Sequence, residues 1–249
     1  VSSAVKLGNP ETAEARRRGI PVIPRAEMLA EIMRLKESIA ISGSHGKTTT
    51  TSLIATILHA AGWDPTVVVG GRLNALGRSA AVGSGDWFVA EADESDGSFL
   101  RLSPSVAVIT NIDPEHLDHY HSVENLQKAF IDFANKVPFY GFSMLCLDHP
   151  RLQSILPKIT KRFFTYGLSV QADYMAENIG FGPDGAEFDF VARGSTLGRV
   201  RVSLLGTHNV LNTLAAVGIG LELGIGFDVS ERAIASFKGV SRRFTILGT

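Results

Sequence analysis

One stretch limits what this chain can fold into more than any other: Ser38-Ile39-Ala40-Ile41-Ser42-Gly43-Ser44-His45-Gly46-Lys47-Thr48-Thr49-Thr50-Thr51. A short apolar run ends in a glycine-bracketed turn, and an apolar periodic segment follows from Leu53. This reads as strand, phosphate loop, helix. Gly43 and Gly46 let the backbone curl so that its N–H groups, with Ser44 and His45 between them, point inward. The helix that follows adds the positive end of its dipole. Lys47 can reach terminal phosphates, and the Thr48 hydroxyl can bind the magnesium that travels with ATP. The competing reading is an ordinary strand-to-helix turn, and Gly-Lys-Thr at the junction weighs against it. The usual loop has the spacing G-x-x-x-x-G. Here Ile41 takes the place of the first glycine, which falls instead at Gly43, so the loop is shortened.

The composition suits a globular chain. Of 249 residues, 45% are hydrophobic and 20% charged, with a net charge of −1. That fills the core of one large domain or two smaller ones. No basic excess suggests nucleic acid, and no apolar run reaches the length of a membrane span. The start has no basic region followed by an apolar one, as a secretory signal would. The single cysteine, Cys146, lies in an apolar run and reads as a buried core thiol. It excludes an internal disulfide framework and suits a reducing cytoplasm. The chain begins without methionine and stops soon after an arginine pair, so it reads as a piece of a longer protein.

Strands and helices alternate from Ser38 onward. Apolar strand runs fall at 39–42, 66–69, 87–90, 106–110, 142–147 and 162–166, with helices at 48–61, 123–136 and 150–155. Continuous apolar strands separated by helices predict a mostly parallel sheet with helices on both faces. Ligands then sit at the carboxyl ends of the strands. After Gly167, runs at 173–178, 186–192 and 197–204 are separated by glycine-containing turns and predict a small antiparallel meander. Helices are expected again at 208–223 and 230–237, and two short ones precede the loop, at 10–19 and 26–35.

The strand ends carry the chemistry. After Trp87–Ala90 comes Glu91-Ala92-Asp93-Glu94-Ser95-Asp96, acids placed to hold magnesium. Strand alternation points Glu91 and Asp93 one way and Glu94 the other. The next strand runs into Thr110-Asn111-Ile112-Asp113-Pro114-Glu115-His116-Leu117-Asp118-His119-Tyr120-His121. Its spacing does not match a zinc motif, and magnesium or manganese shared with phosphates fits better. Gly206-Thr207-His208-Asn209-Val210-Leu211-Asn212 opens a helix with His208 and Asn212 on one face, able to frame an adenine edge or simply to cap. Ser241-Arg242-Arg243-Phe244 could clamp phosphates or ribose, or be a solvated surface pair.

Taken in this order, the four stretches and the shortened loop resemble the Mur ligase family, whose members build the peptide of bacterial cell-wall precursors. The resemblance covers essentially the whole chain. It implies an α/β, P-loop-type domain over 38–244. Residues 1–37 are then the end of a UDP-sugar-binding domain, and 245–249 the start of a linker to a further domain. It implies ATP as co-substrate with Mg2+ (or Mn2+). Lys47 contacts the β- and γ-phosphates, Thr48 and Glu91 hold one metal, and His116 holds a second. Gly43, Ser44, His45, Gly46 and Thr49 complete the phosphate cradle. His208, Asn209 and Asn212 lie at the adenine, and Arg243 at ribose or phosphates. Asn111 and Asp93 are expected to support these groups.

The details look most like the branch that joins L-alanine to UDP-N-acetylmuramate in the cytoplasm. In that branch the lactyl carboxylate attacks the γ-phosphate and the amine then displaces phosphate from the acyl phosphate. The branch that recycles murein tripeptide is the alternative within the family. A non-catalytic nucleotide-binding regulatory module is the alternative outside it. The piece by itself is expected to bind ATP and metal weakly and not to ligate.

Overall fold

The computed structural model describes residues 1, 5–6, 8–70, 72–73 and 80–241. The short helices α1 (Pro10–Arg17) and α2 (Arg25–Met33) lead into β1 (Glu37–Ser42) and α3 (Lys47–Ala60). Asn9 caps α1 by accepting from the Glu11 and Thr12 amides, and Pro10 takes the first helical position, where no amide is needed. The chain continues through β2 (Thr66–Val68), β3 (Arg72–Leu73), β4 (Ala80–Ala81), β5 (Trp87–Glu91) and a 3₁₀ turn at Ser98–Arg101. Next come β6 (Val106–Ile109), α4 (Leu117–Tyr120), α5 (Val123–Ala134), β7 (Phe142–Cys146), α6 (Pro150–Ile155) and β8 (Phe163–Gly167). The last part comprises β9 (Tyr174–Gly182), β10 (Gly185–Ala192), β11 (Ser195–Val202), α7 (Thr207–Glu222), α8 (Phe227–Ala235) and β12 (Val240–Ser241).

Ten strands form one sheet in the order β11-β10-β9-β8-β7-β6-β1-β5-β2-β4. All pairs from β2 to β9 are parallel. The expected meander is present, but it extends the parallel sheet through the β8–β9 pair, Tyr166 beside Tyr174. β1 lies in the middle with every residue from Ser38 to Ser42 buried, which is why its run is continuously apolar rather than alternating. From β1 the chain builds first toward β5 and β2, then crosses to β6, β7 and β8. The loops after β1, β5 and β6 therefore meet at the reversal of strand order, where open α/β sheets bind ligands.

Helices cover both faces of the sheet. α3, α7 and α8 pack on one another, while α5 packs on β6, α6 and the 3₁₀ turn. Two of the departures from the expected elements have their reason in the packing. α8 starts at Phe227 rather than 230, with the Phe227 ring 5.6 Å from that of Phe190; this contact to the meander is invisible in local pattern. The 3₁₀ turn was not foreseen, and its Phe99 is buried against Phe130 and Phe133 at 5.3 and 5.0 Å. Cys146 is a buried thiol, as expected, and burial pushes its pKa up to about 11.

Phe99 anchors the segment that follows the acidic run. Phe99→Ala should cost about 3–5 kcal/mol of stability, read from urea denaturation. A loss below about 1 kcal/mol, the scale of an ordinary surface change, would show that the aromatic cluster does not hold that segment.

Candidate functional site

The loop between β1 and α3 takes a shape that requires glycine twice. Gly43 has φ 129° and Gly46 has φ 87°. A Cβ at Gly43 would lie 2.2 Å from Thr110 Oγ1, and one at Gly46 would lie 2.6 Å from Asn212 Oδ1. Gly46 is the N-cap of α3 and supplies no side-chain bond. The amides of the first turn thus have no partner from a capping side chain, the state in which a helix N-terminus can hold an anion.

The strand beside β1 fastens this loop. β6 stops at Ile109, one residue earlier than expected, because Thr110 turns its side chain to the loop. Its hydroxyl donates to the His45 carbonyl at 2.6 Å. Asn111 grips the same residue twice, accepting from His45 N–H at 2.8 Å and donating to His45 O at 3.0 Å. The Asp113 amide donates to Ser44 Oγ at 2.8 Å. The His45 ring projects outward, 3.5 Å from Asp113 and 3.7 Å from Glu115. Asp113 is also within 3.4 Å of His149 and 3.8 Å of Arg151, on the loop after β7 and on α6. Sequence reading missed both residues, although they follow the carboxyl end of a parallel strand.

Lys47 folds back over its own loop. Its ammonium donates to Gly43 O at 2.6 Å, to Glu94 Oε1 at 2.9 Å, and to Ser44 O at 3.4 Å. Glu94 is the acid that alternation had pointed away from Glu91 and Asp93 and left out of the site. The strand ends at Glu91, alternation ends with it, and the turn at 93–98 swings Glu94 inward. Burial pushes the Glu94 pKa up, and Lys47 pulls it back. Asp93 is exposed and accepts from the Ser95 amide at 3.0 Å. Glu91 ends β5 half-buried, facing Gly70, with Oε1 buried and unbonded. Thr48 and Thr49 are buried in the first turn of α3.

The remaining expected residues divide into near and far. Asn212 is buried under the loop: Oδ1 accepts from Thr50 Oγ1 at 3.1 Å, and Nδ2 donates to Asn209 Oδ1 at 3.2 Å. Asn209 in turn donates to Leu205 O at 2.8 Å and lies 3.1 Å from His208 Nε2. The structure therefore brings Asn212 to the loop itself, while His208 is exposed at the start of α7. His116 is exposed, with φ 56°, at the N-cap of α4. Among the described residues, no three His, Cys, Asp or Glu side chains converge as a metal cage. Arg243 lies outside the described residues.

The model of the Mur ligase middle domain matches residues 41–220, and that described as Mur ligase family, catalytic domain, matches residues 1–37. The chain is 58% identical over 248 residues to the UDP-N-acetylmuramate–L-alanine ligase of Anaeromyxobacter dehalogenans (strain 2CP-C), covering 100% of this chain and 54% of that protein. It is likewise 58% identical over 248 residues to the ligase of the same name from Sorangium cellulosum, covering 100% of this chain and 53% of that one. The chain thus spans about half the length of these curated relatives. Among solved structures, the UDP-N-acetylmuramate-alanine ligase of Thermotoga maritima superposes with TM-score 0.87 at 27% identity, over 99% of this chain and 56% of that one. A UDP-N-acetylmuramate:L-alanyl-gamma-D-glutamyl-meso-diaminopimelate ligase from Neisseria meningitides gives 0.84 at 27%, over 96% and 78%.

Asn111→Ala removes two of the side-chain hydrogen bonds that hold His45 and leaves that of Thr110. Native-state hydrogen exchange at the His45 amide should speed up by about 30-fold, at ~1 kcal/mol for each of the two lost bonds. Unchanged protection would mean that Thr110 alone fixes the loop.

Proposed function

The chain belongs to the Mur ligase family, and from that premise we propose that it is the ATP-binding portion of an enzyme that joins L-alanine to UDP-N-acetylmuramate in the cytoplasm. The observation that carries this reading is the loop: a glycine-shaped turn at a helix N-terminus, with the Lys47 ammonium folded back onto it and Thr48 in the first helical turn. The 58% identity over the whole chain supports the choice of amino acid. No described helix is long and apolar enough to cross a membrane.

The residues fit a hard divalent cation. The Thr48 hydroxyl and Glu91 carboxylate are oxygen donors of the kind magnesium takes, and the buried, unbonded Glu91 Oε1 lacks a partner. His116 offers an exposed imidazole for a second ion. When bound, such ions would offset charge on the phosphate and substrate oxygens.

The chain's own groups do the rest. The amides of the first turn of α3 hold the phosphates, while those of Ser44 and His45 are engaged by Asn111 and fix the loop. The Lys47 ammonium offsets the charge that builds as the lactyl carboxylate approaches the γ-phosphate. The clamp of Thr110 and Asn111 on His45 keeps the donors in place before substrate arrives, so little reorganisation is needed at reaction. Asn212, under Gly46, ties α7 to the loop, and His208 and Asn209 provide the adenine edge. Arg243 completes the set toward ribose or phosphates.

A murein tripeptide ligase is the second reading, favoured by the superposition on the Neisseria enzyme over 78% of that chain. Turnover of the whole protein with L-alanine and with tripeptide separates the two. In that protein, Lys47→Ala should lower acyl-phosphate formation by about 10³-fold or more, the scale of removing a preorganised charge partner. Turnover near the wild-type rate would show that the loop does not hold the reacting phosphate.

A further inference from the structure

Lys47 and Glu94 form a pair whose two members differ in freedom. An ammonium has three donors, and those of Lys47 are directed at Gly43 O, Ser44 O and Glu94 Oε1. The lysine side chain nevertheless keeps 19% exposure, against 3% for Glu94. Its four-carbon stem can swing toward an incoming ligand.

Glu94 cannot follow. Its carbonyl accepts from the Gly97 amide at 3.1 Å and from the Tyr120 hydroxyl. The turn around it is closed by Ser95 on Asp93 and by Ser98 on Asp96, both at 3.0 Å. Phe99 then sinks into the core. The second carboxylate oxygen, Oε2, is buried and unbonded, so the carboxylate depends on Lys47 for compensation. A buried ion pair of this kind is costly to form, which makes it a poor device for stability alone.

We propose that Glu94 is a positioning residue that acts through Lys47: its carboxylate holds the ammonium in the empty site, and a terminal phosphate takes that ammonium over when nucleotide enters. Nucleotide binding is then an exchange of carboxylate for phosphate oxygen at one cation. Glu94 sets both where the lysine waits and how strongly the empty loop competes with its ligand. This rests on the nucleotide-binding reading of the loop.

The test is calorimetric titration of this chain with a non-hydrolysable ATP analogue and magnesium, alongside thermal unfolding. Glu94→Gln keeps the shape of the side chain and removes its charge. It should tighten binding by about fivefold, since a competing buried charge is gone. Should the Gln variant fail to fold, Glu94→Asp carries the test: it keeps the charge but withdraws it from the ammonium, and should tighten binding by a smaller factor. A purely structural Glu94 predicts weaker binding and a lower unfolding midpoint. Unchanged or weakened binding in a folded variant overturns the proposal while the nucleotide site stands. If the folded wild-type chain binds no analogue, the nucleotide reading falls, and this inference with it.

Discussion

The site depends on β1 being paired on both sides. Ile41 stands beside Glu91 on β5, and Ser42 beside Ile109 on β6. That register alone puts Thr110 and Asn111 next to Gly43, Ser44 and His45, where their side chains fasten the loop. Slipping β1 by one residue would exchange its two faces. It would also carry the Gly43 approach, with no room for a Cβ, away from Thr110. The apolar content of β1 is therefore not only core filling: it holds the position from which the loop departs.

Around that fixed loop the electrostatics are deliberately incomplete. Buried carboxylate oxygens without partners are unusual because each costs desolvation that nothing offsets. Here two of them lie at one strand end: on Glu91, the last residue of β5, and on Glu94, which pairs with Lys47. The Asp93–Phe99 turn, the His45 backbone and the Asn212 side-chain amide, by contrast, all have internal partners. Rigid backbone with unsatisfied side-chain charge is the arrangement expected where ligand chemistry, not folding, selects the residues.

Much of this was legible in the chain. Runs such as Val106–Ile109 and Phe142–Cys146 announce buried parallel strands because both of their faces are apolar, and Gly-Lys-Thr after such a run marks the loop. The failures share one cause. Glu94 was assigned by strand periodicity beyond the point where the strand stops. Thr110 was counted as strand although its hydroxyl serves a loop 65 residues earlier. The Phe227 start of α8 depends on a ring in β10. Each is set by a partner distant in sequence, which no local pattern contains.

By itself, the sequence determined the type and order of the main elements, the place of the shortened glycine loop, and the family. Those features are carried by local spacing, by where glycine is obligatory, and by the apolar period of each run. Only the tertiary structure decided what Lys47 rests against, which residues hold His45, and that the meander continues the main sheet. These follow from strand order and register, which bring together residues of β1, β5, β6 and α7 that lie tens to well over a hundred positions apart. A chain reports its neighbours along the backbone, whereas the charge and hydrogen-bond partners of a site are neighbours across the fold.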